Sequence, residues 1–202
     1  MKPGASVMAH TEARAPLWQR PARRSEISGV HARLQALIAE LPGFTPEFRQ
    51  FERQRMSKLF LANLHSLDEN YIRLCMAGDG NVGFMISGPE YGTLWQYWSA
   101  LFLEVREPHM PLTFMRLYIE HWDNGCFHKI ANITTANNRP AIAMLKRFRF
   151  EHVGDLHRHV MGQDFLLFER PLNKTVEGYD RGLQLPRSTR LVNRMRCMTG
   201  LI

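Results

Sequence analysis

The sequence is poor in cysteine and has no long apolar run. Its three cysteines, Cys75, Cys126 and Cys197, are odd in number and far apart. Such spacing excludes a disulfide framework and a zinc pattern, and it points to a reducing compartment. No apolar stretch approaches the roughly 20 residues of a membrane span. The first thirty residues carry no apolar segment of the kind a secretory signal needs. A cytoplasmic protein without a membrane span is therefore expected. His152, His157 and His159 lie close in sequence, but no carboxylate or cysteine completes a ligand set at usable spacing, so no metal is expected.

What is present is enough for one domain with extensions. The chain has 202 residues, 45% of them apolar, which supplies a core of ordinary size. The net charge of +7 is uneven. Five basic residues against one acid give residues 1–24 a charge of +4, and six against two give residues 174–202 another +4, which leaves the middle at −1. The basic character belongs to the ends. Residues 1–24 read as a basic extended arm, 25–172 as the folded domain and 173–202 as a basic C-terminal arm. Basic arms suit an anionic partner, such as nucleic acid, a membrane surface or an acidic groove on another protein subunit, or simply add solubility.

Residues 28–40 place Val30, Leu34, Leu37 and Ile38 at helical spacing, and Pro42-Gly43 ends that helix. A second helix is expected from Thr45, with Pro46 in its first turn. It carries an apolar stripe through Phe48, Phe51, Met56, Leu59, Phe60 and Leu64. Residues 71–77 and 82–86 read as a hairpin around Gly78-Asp79-Gly80-Asn81. Pro89 to Gly92 reads as a turn, and residues 94–105 as a central strand. Leu112, Met115, Ile119 and Trp122 share one helical face, ended by Asn124-Gly125. Residues 127–134 read as a strand. Asn137, Asn138 and Pro140 then start a short helix, with Ala141, Met144, Leu145 and Phe148 on one face. Residues 150–153 and 164–170 form a closing hairpin whose turn holds His157 and His159. The order predicts a mixed α/β (α+β) fold, a central sheet flanked by helices.

The run Asn138-x-x-Ala141-Ile142-x-Met144-Leu145-x-x-x-x-Phe150-x-x-x-Gly154 resembles the C-terminal half of the GNAT N-acetyltransferases. The likeness extends more loosely over residues 71–171, about half the chain. Arg149 stands where a glycine is usual, and Leu145 stands where many members place a thiolate-protonating tyrosine. The resemblance implies acetyl-CoA as cofactor and an amine as acceptor. It implies that the central strand splays from the next one, so that the backbone at Phe102, Leu103 and Val105 grips the cofactor, with Asn138 also at the cofactor site. Glu104, at the end of that strand, is the candidate base.

The family's phosphate loop is rich in glycine, because glycine lets backbone N–H groups approach the pyrophosphate at a helix N-terminus. Here residues 106–116 contain none, Pro108 and Pro111 remove two donors, and Glu107 adds repulsion. Arg106, His109 and Thr113 remain as side chains that could bind phosphate. Three functions stay open. One is acetyl-CoA-dependent transfer to an amine. A second is a catalytically degenerate GNAT fold used as a structural or interaction protein. For that one, the stretch 138–169 also resembles small GNAT-like virion-associated proteins of T7-like phages, which would place the chain in a virion. The third is nucleic-acid binding through the arms, for which no RRM, zinc or helix-turn-helix signature is present.

Overall fold

The computed structural model describes residues 15–42, 44–90, 92–102, 104 and 107–174. In chain order the elements are β1 (Leu17–Pro21), α1 (Ile27–Glu40), α2 (Pro46–Arg55), α3 (Lys58–Leu67), β2 (Ile72–Ala77), β3 (Gly80–Glu90), β4 (Thr93–Leu101), α4 (Met110–Trp122), β5 (Lys129–Thr134), α5 (Arg139–Arg147), β6 (Glu151–Val160) and β7 (Gln163–Pro171). Among the described residues the strands form one sheet in the order β1-β2-β3-β4-β5-β7-β6. Every pair is antiparallel except β4 with β5. This is the mixed, helix-flanked sheet that the order of sequence signals predicts.

Strand alternation sorts the side chains between two helical layers. On one face, Trp98 donates from its indole to Glu52 of α2, and Arg33 of α1 lies 4.6 Å from the Phe102 ring. On the other face α4 buries Met110, Phe114, Met115, Tyr118, Ile119 and Trp122. Gln19 of β1 donates to the Phe114 carbonyl, and Arg73 of β2 reaches His121. α1 buries Ile27, Val30, Leu34 and Ile38, the three-four spacing seen in the sequence.

Four differences from the sequence reading have local causes. Leu17–Pro21, placed in a basic arm by composition, forms β1 along residues 73–77 of β2. It is a five-residue edge strand ending in Pro21, where a missing N–H is tolerated. Arg20 and Glu26 form a bidentate pair that ties it to the turn before α1. The single helix expected after Thr45 is two. α2 stops at Arg55, and Ser57 caps α3 by accepting the Phe60 N–H. Gln35 of α1 donates to the Arg53 and Met56 carbonyls that the break frees. β3 runs through Pro89 to Glu90, and β4 ends at Leu101, short of Val105. His157 and His159 lie on β6, and the hairpin turn is Met161-Gly162, both at positive φ as a two-residue hairpin turn requires. Of the expected C-terminal arm, only Asn173 and Lys174 are among the described residues. The others, and most of residues 1–24, lie outside them.

No helix among the described residues is long and apolar enough to cross a membrane. Arg73 is buried and donates to Asn70, to the Gln19 backbone and side chain, and to His121 Nε2. Accepting from a guanidinium fixes His121 as neutral, with its proton on Nδ1. Burial first, and Arg73 second, lower the His121 pKa from 6.5 to about 4. The unfolded chain therefore binds a proton that the folded chain refuses. Stability should fall as pH drops from about 6.5 to about 4 and level off below; His121→Gln, which keeps an acceptor, should flatten that slope in melting curves.

Arg149 has φ of 60°, a left-handed backbone at the position where the resembling family carries glycine. Its N–H bonds to the Lys146 carbonyl and ends α5. The cost of that conformation for a side-chain residue exceeds the entropy glycine adds to the unfolded chain. Arg149→Gly should stabilise the protein by about 0.5–1 kcal/mol, read as a higher melting temperature.

Candidate functional site

The site begins where two strands stop pairing. β4 and β5 share the register pairs Thr93↔Lys129, Leu94↔Ile130 and Trp95↔Ala131, then diverge. β5 continues on its other side with β7 to Thr134, and β4 continues with β3 to Leu101. Between them the sheet is open. The Phe102 N–H bonds to the Val82 carbonyl. In an antiparallel ladder alternate residues point at the neighbour. Trp98 and Ala100 therefore face β3, while the N–H and C=O groups of Ser99 and Leu101 face the opening. A row of unpaired backbone groups of this kind needs a partner.

The opening belongs to a cleft of about 1460 Å³ that runs from α2 to α5. At its apex Asn132 Nδ2 donates to both the backbone carbonyl and the Oε1 of Gln96, each at 3.3 Å. One step further on β4 there is a bulge: Ile86 pairs with Trp98 and Ser87 with Gln96, which leaves Tyr97 as the extra residue. The Tyr97 ring lies across Gly88, where a Cβ would stand 2.6 Å from it. The bulge brings Tyr97 and Trp98 together against α2. Glu52 is only 3% exposed, and it accepts from Trp98 and bidentately from Arg55. Arg55 lies 5.5 Å from the Tyr97 centroid. Burial, then Glu90, raise the Tyr97 pKa, while Arg55 opposes them. Phe44, Phe48 and Phe165 line this end, with centroids 4.4 to 6.2 Å apart.

At the far end, α5 contributes Asn138, Ala141, Lys146 and Arg147 to the lining. Asn138 caps its helix by accepting the Ala141 N–H and donates to Thr134. The N-terminus of α4 is largely closed. The Met110 N–H is taken by the Glu107 carbonyl, Pro111 has none, and the Thr113 N–H is in the helix ladder to His109. Among the described residues, Leu112 is the one first-turn amide left over.

Of the residues singled out from sequence, Asn138 lines the cleft. The Phe102 amide is already bonded to Val82, so the free backbone edge sits earlier, at Ser99 and Leu101. Glu104 is 55% exposed on its side chain and pairs with Arg33 at 2.9 Å, away from the cleft lining. That hydrogen bond and its own backbone hold its pKa below the usual range, the backbone contribution being larger. His109 stands 3.4 Å from the Glu107 carboxylate, and neither it nor Thr113 lines the cleft. Leu103, Val105 and Arg106 lie outside the described residues. Leu145 is buried in the core. Asn132 and Thr134, on one face of β5, line the cleft as well. Gln96, Glu52 and Arg55 were missed. The one available signal was Glu52, a carboxylate four residues after Phe48 on the face of α2 that packs inward. Among the described residues no group of His, Cys, Asp or Glu is placed to hold a metal ion.

No family model matches the sequence, and no curated protein matches it. Solved structures do match. The ribosomal L7/L12 alpha-N-protein acetyltransferase RimL, in complex with coenzyme A, aligns at TM-score 0.63 and 14% identity, over 80% of this chain and 99% of that one. Ard1 from Thermoplasma volcanium aligns at 0.60 and 12%, over 78% and 98%. A ribosomal-protein-alanine N-acetyltransferase from Brucella melitensis aligns at 0.59 and 18%, over 76% and 99%. The chain has the GNAT acetyltransferase fold.

Removing Glu52 would orphan both the Trp98 N–H and one face of Arg55. Glu52→Ala should cost about 2 kcal/mol in denaturant titration, whereas Glu52→Gln, which keeps an acceptor for Trp98, should cost less.

Proposed function

We propose that the chain transfers an acetyl group from acetyl-CoA to an amine. The carrying observation is the opening between β4 and β5, edged by the unpaired backbone of Ser99 and Leu101. Its shape and free N–H and C=O groups fit an amide-bearing arm such as pantetheine. The phosphates fit less conventionally. The first turn of α4 offers them one amide, so their charge is answered by Lys146 and Arg147 on α5, which line the same cleft. Solved neighbours with this fold include a coenzyme A complex, which supports the reading.

Acetyl-CoA supplies the activated acyl group; the chain supplies position and a proton sink. The acceptor enters at the end lined by Phe44, Phe48 and Phe165. Glu52 is committed to Arg55 and Trp98, which leaves Glu90 as the unengaged carboxylate of that half of the cleft, beside Tyr97. Glu90 takes the proton from the amine, directly or through one water. Glu104, the base expected from sequence, is held by Arg33 outside the cleft and serves as the control. No side-chain acid stands at Leu145, so the departing sulfur takes its proton from solvent.

The closed first turn of α4 favours a second reading, in which the fold is kept as an interaction module without a cofactor. Calorimetric titration with acetyl-CoA and with free CoA separates the two. Micromolar binding is expected, and no binding at millimolar ligand would overturn the enzyme reading. In turnover assays Glu90→Gln should lower kcat by about 100-fold, the usual scale for a lost general base. Glu104→Gln should leave the rate within about two-fold; the reverse pattern would return the base to Glu104.

A further inference from the structure

We propose that the Gln96 side chain is the donor that fixes the carbonyl oxygen of the bound acyl group at the closed end of the cleft. The proposal rests on the acetyl-transfer reading and adds to it a residue whose role is to recognise the acyl group itself.

Gln96 is 3% exposed, and its Nε2 has no hydrogen-bond partner. Its orientation is not free. Asn132 lies against two oxygens of one residue, the Gln96 backbone carbonyl and Oε1. A backbone carbonyl can only accept, so Asn132 must present Nδ2 there. With Nδ2 facing it, the Gln96 amide must present Oε1, because the flipped amide would set donor against donor. Nε2 is therefore turned away from Asn132 and left without an acceptor. Ser87 is its cross-strand neighbour, and the Ser87 hydroxyl is turned to Tyr118, so Gln96 Nε2 stays without a partner.

A buried amide donor without an acceptor is rare in folded proteins, because it has surrendered water for nothing. This one sits where β4 and β5 part, on a residue that lines the cleft. Its register position is three residues before Ser99, whose backbone edges the opening. An arm lying along Ser99 and Leu101 toward the fork ends at Gln96. The group at that end must offer an oxygen that accepts. The thioester carbonyl of an acyl group does so, and the bare thiol of free CoA does not. The same hydrogen bond tightens as charge builds on that oxygen during attack by the amine.

The test compares acetyl-CoA with free CoA, by calorimetry, in the intact chain and in two variants. The wild type should bind acetyl-CoA about ten-fold more tightly than CoA, the scale of one neutral hydrogen bond made inside a protein. Gln96→Met should abolish that preference and leave CoA affinity unchanged; it also removes the Oε1 acceptor of Asn132, so it should melt slightly lower than the wild type. Gln96→Glu keeps an acceptor for Asn132 and removes the donor. It should show the same loss, and it covers the case in which Gln96→Met does not fold. Both should lower kcat by about 100-fold. A wild type that binds both ligands equally, or variants that keep the preference, would overturn the role of Gln96. A wild type that binds neither would overturn acetyl transfer itself.

Discussion

The structure depends on one interrupted ladder. β4 and β5 run parallel and pair over three residues, and then each commits its remaining hydrogen bonds to a different neighbour. β5 stays with β7, and β4 stays with β3. A sheet that splits this way exposes backbone groups in its middle, where sheets are otherwise saturated. Those groups, on Ser99 and Leu101, cannot be satisfied by side chains from the helical layers without closing the gap. A ligand with spaced amides is the economical solution.

A second device, the bulge at Tyr97, divides the cleft into two chemical halves. The extra residue places Tyr97 and Trp98 together on the α2 side, and Glu52 and Arg55 complete a buried, hydrogen-bonded cluster there. Glu52 holds Arg55 in place across the Tyr97 ring, so the cation is preorganised. On the other side of the fork, Gln96 and Asn132 form a small amide pair in which every orientation is set by a single backbone oxygen. The α2 half is thus aromatic with fixed charge, and the fork carries a pair of directed amides.

On the acetyl-transfer reading, the place for the phosphates is the start of α4, where the resembling family's glycines are missing. Among the described residues, Pro111 and the Glu107–Met110 backbone bond leave the Leu112 amide alone free in the first turn of α4, and Glu107 sits beside His109. The same reading takes the compensating charge from α5, where Lys146 and Arg147 line the cleft and face the negative end of their own helix dipole. Arg149 marks a similar substitution of means. It adopts the left-handed turn that glycine would provide, and the strain is borne by the bonds that end α5: the Phe148 amide to Met144 and Leu145, and the Arg170 guanidinium to the Phe148 carbonyl.

Much of the fold was written in local signals. Three-four spacing in α1 and α4, the capping residues Thr45 and Asn138, and the hairpin of β2 and β3 depend on neighbours in sequence, and there the sequence alone was sufficient. It also carried the motif from Asn138 to Gly154, and with it the class of fold. It did not carry β1, because five residues of mixed polarity become a strand only when β2 offers an edge. Nor did it show the break at Ser57, where a capping serine competes with a continuing apolar stripe and tertiary packing of Met56 decides. The site was the least legible part. Gln96 and Asn132 are 36 residues apart, Glu52 and Trp98 are 46 apart, and nothing in either stretch announces the other. Local propensity determines elements because its interactions span one turn or one pleat. The end of the β4–β5 ladder, the bulge and the orphan amide at the fork exist only once distant strands compete for the same hydrogen bonds, and the tertiary structure alone decides that competition.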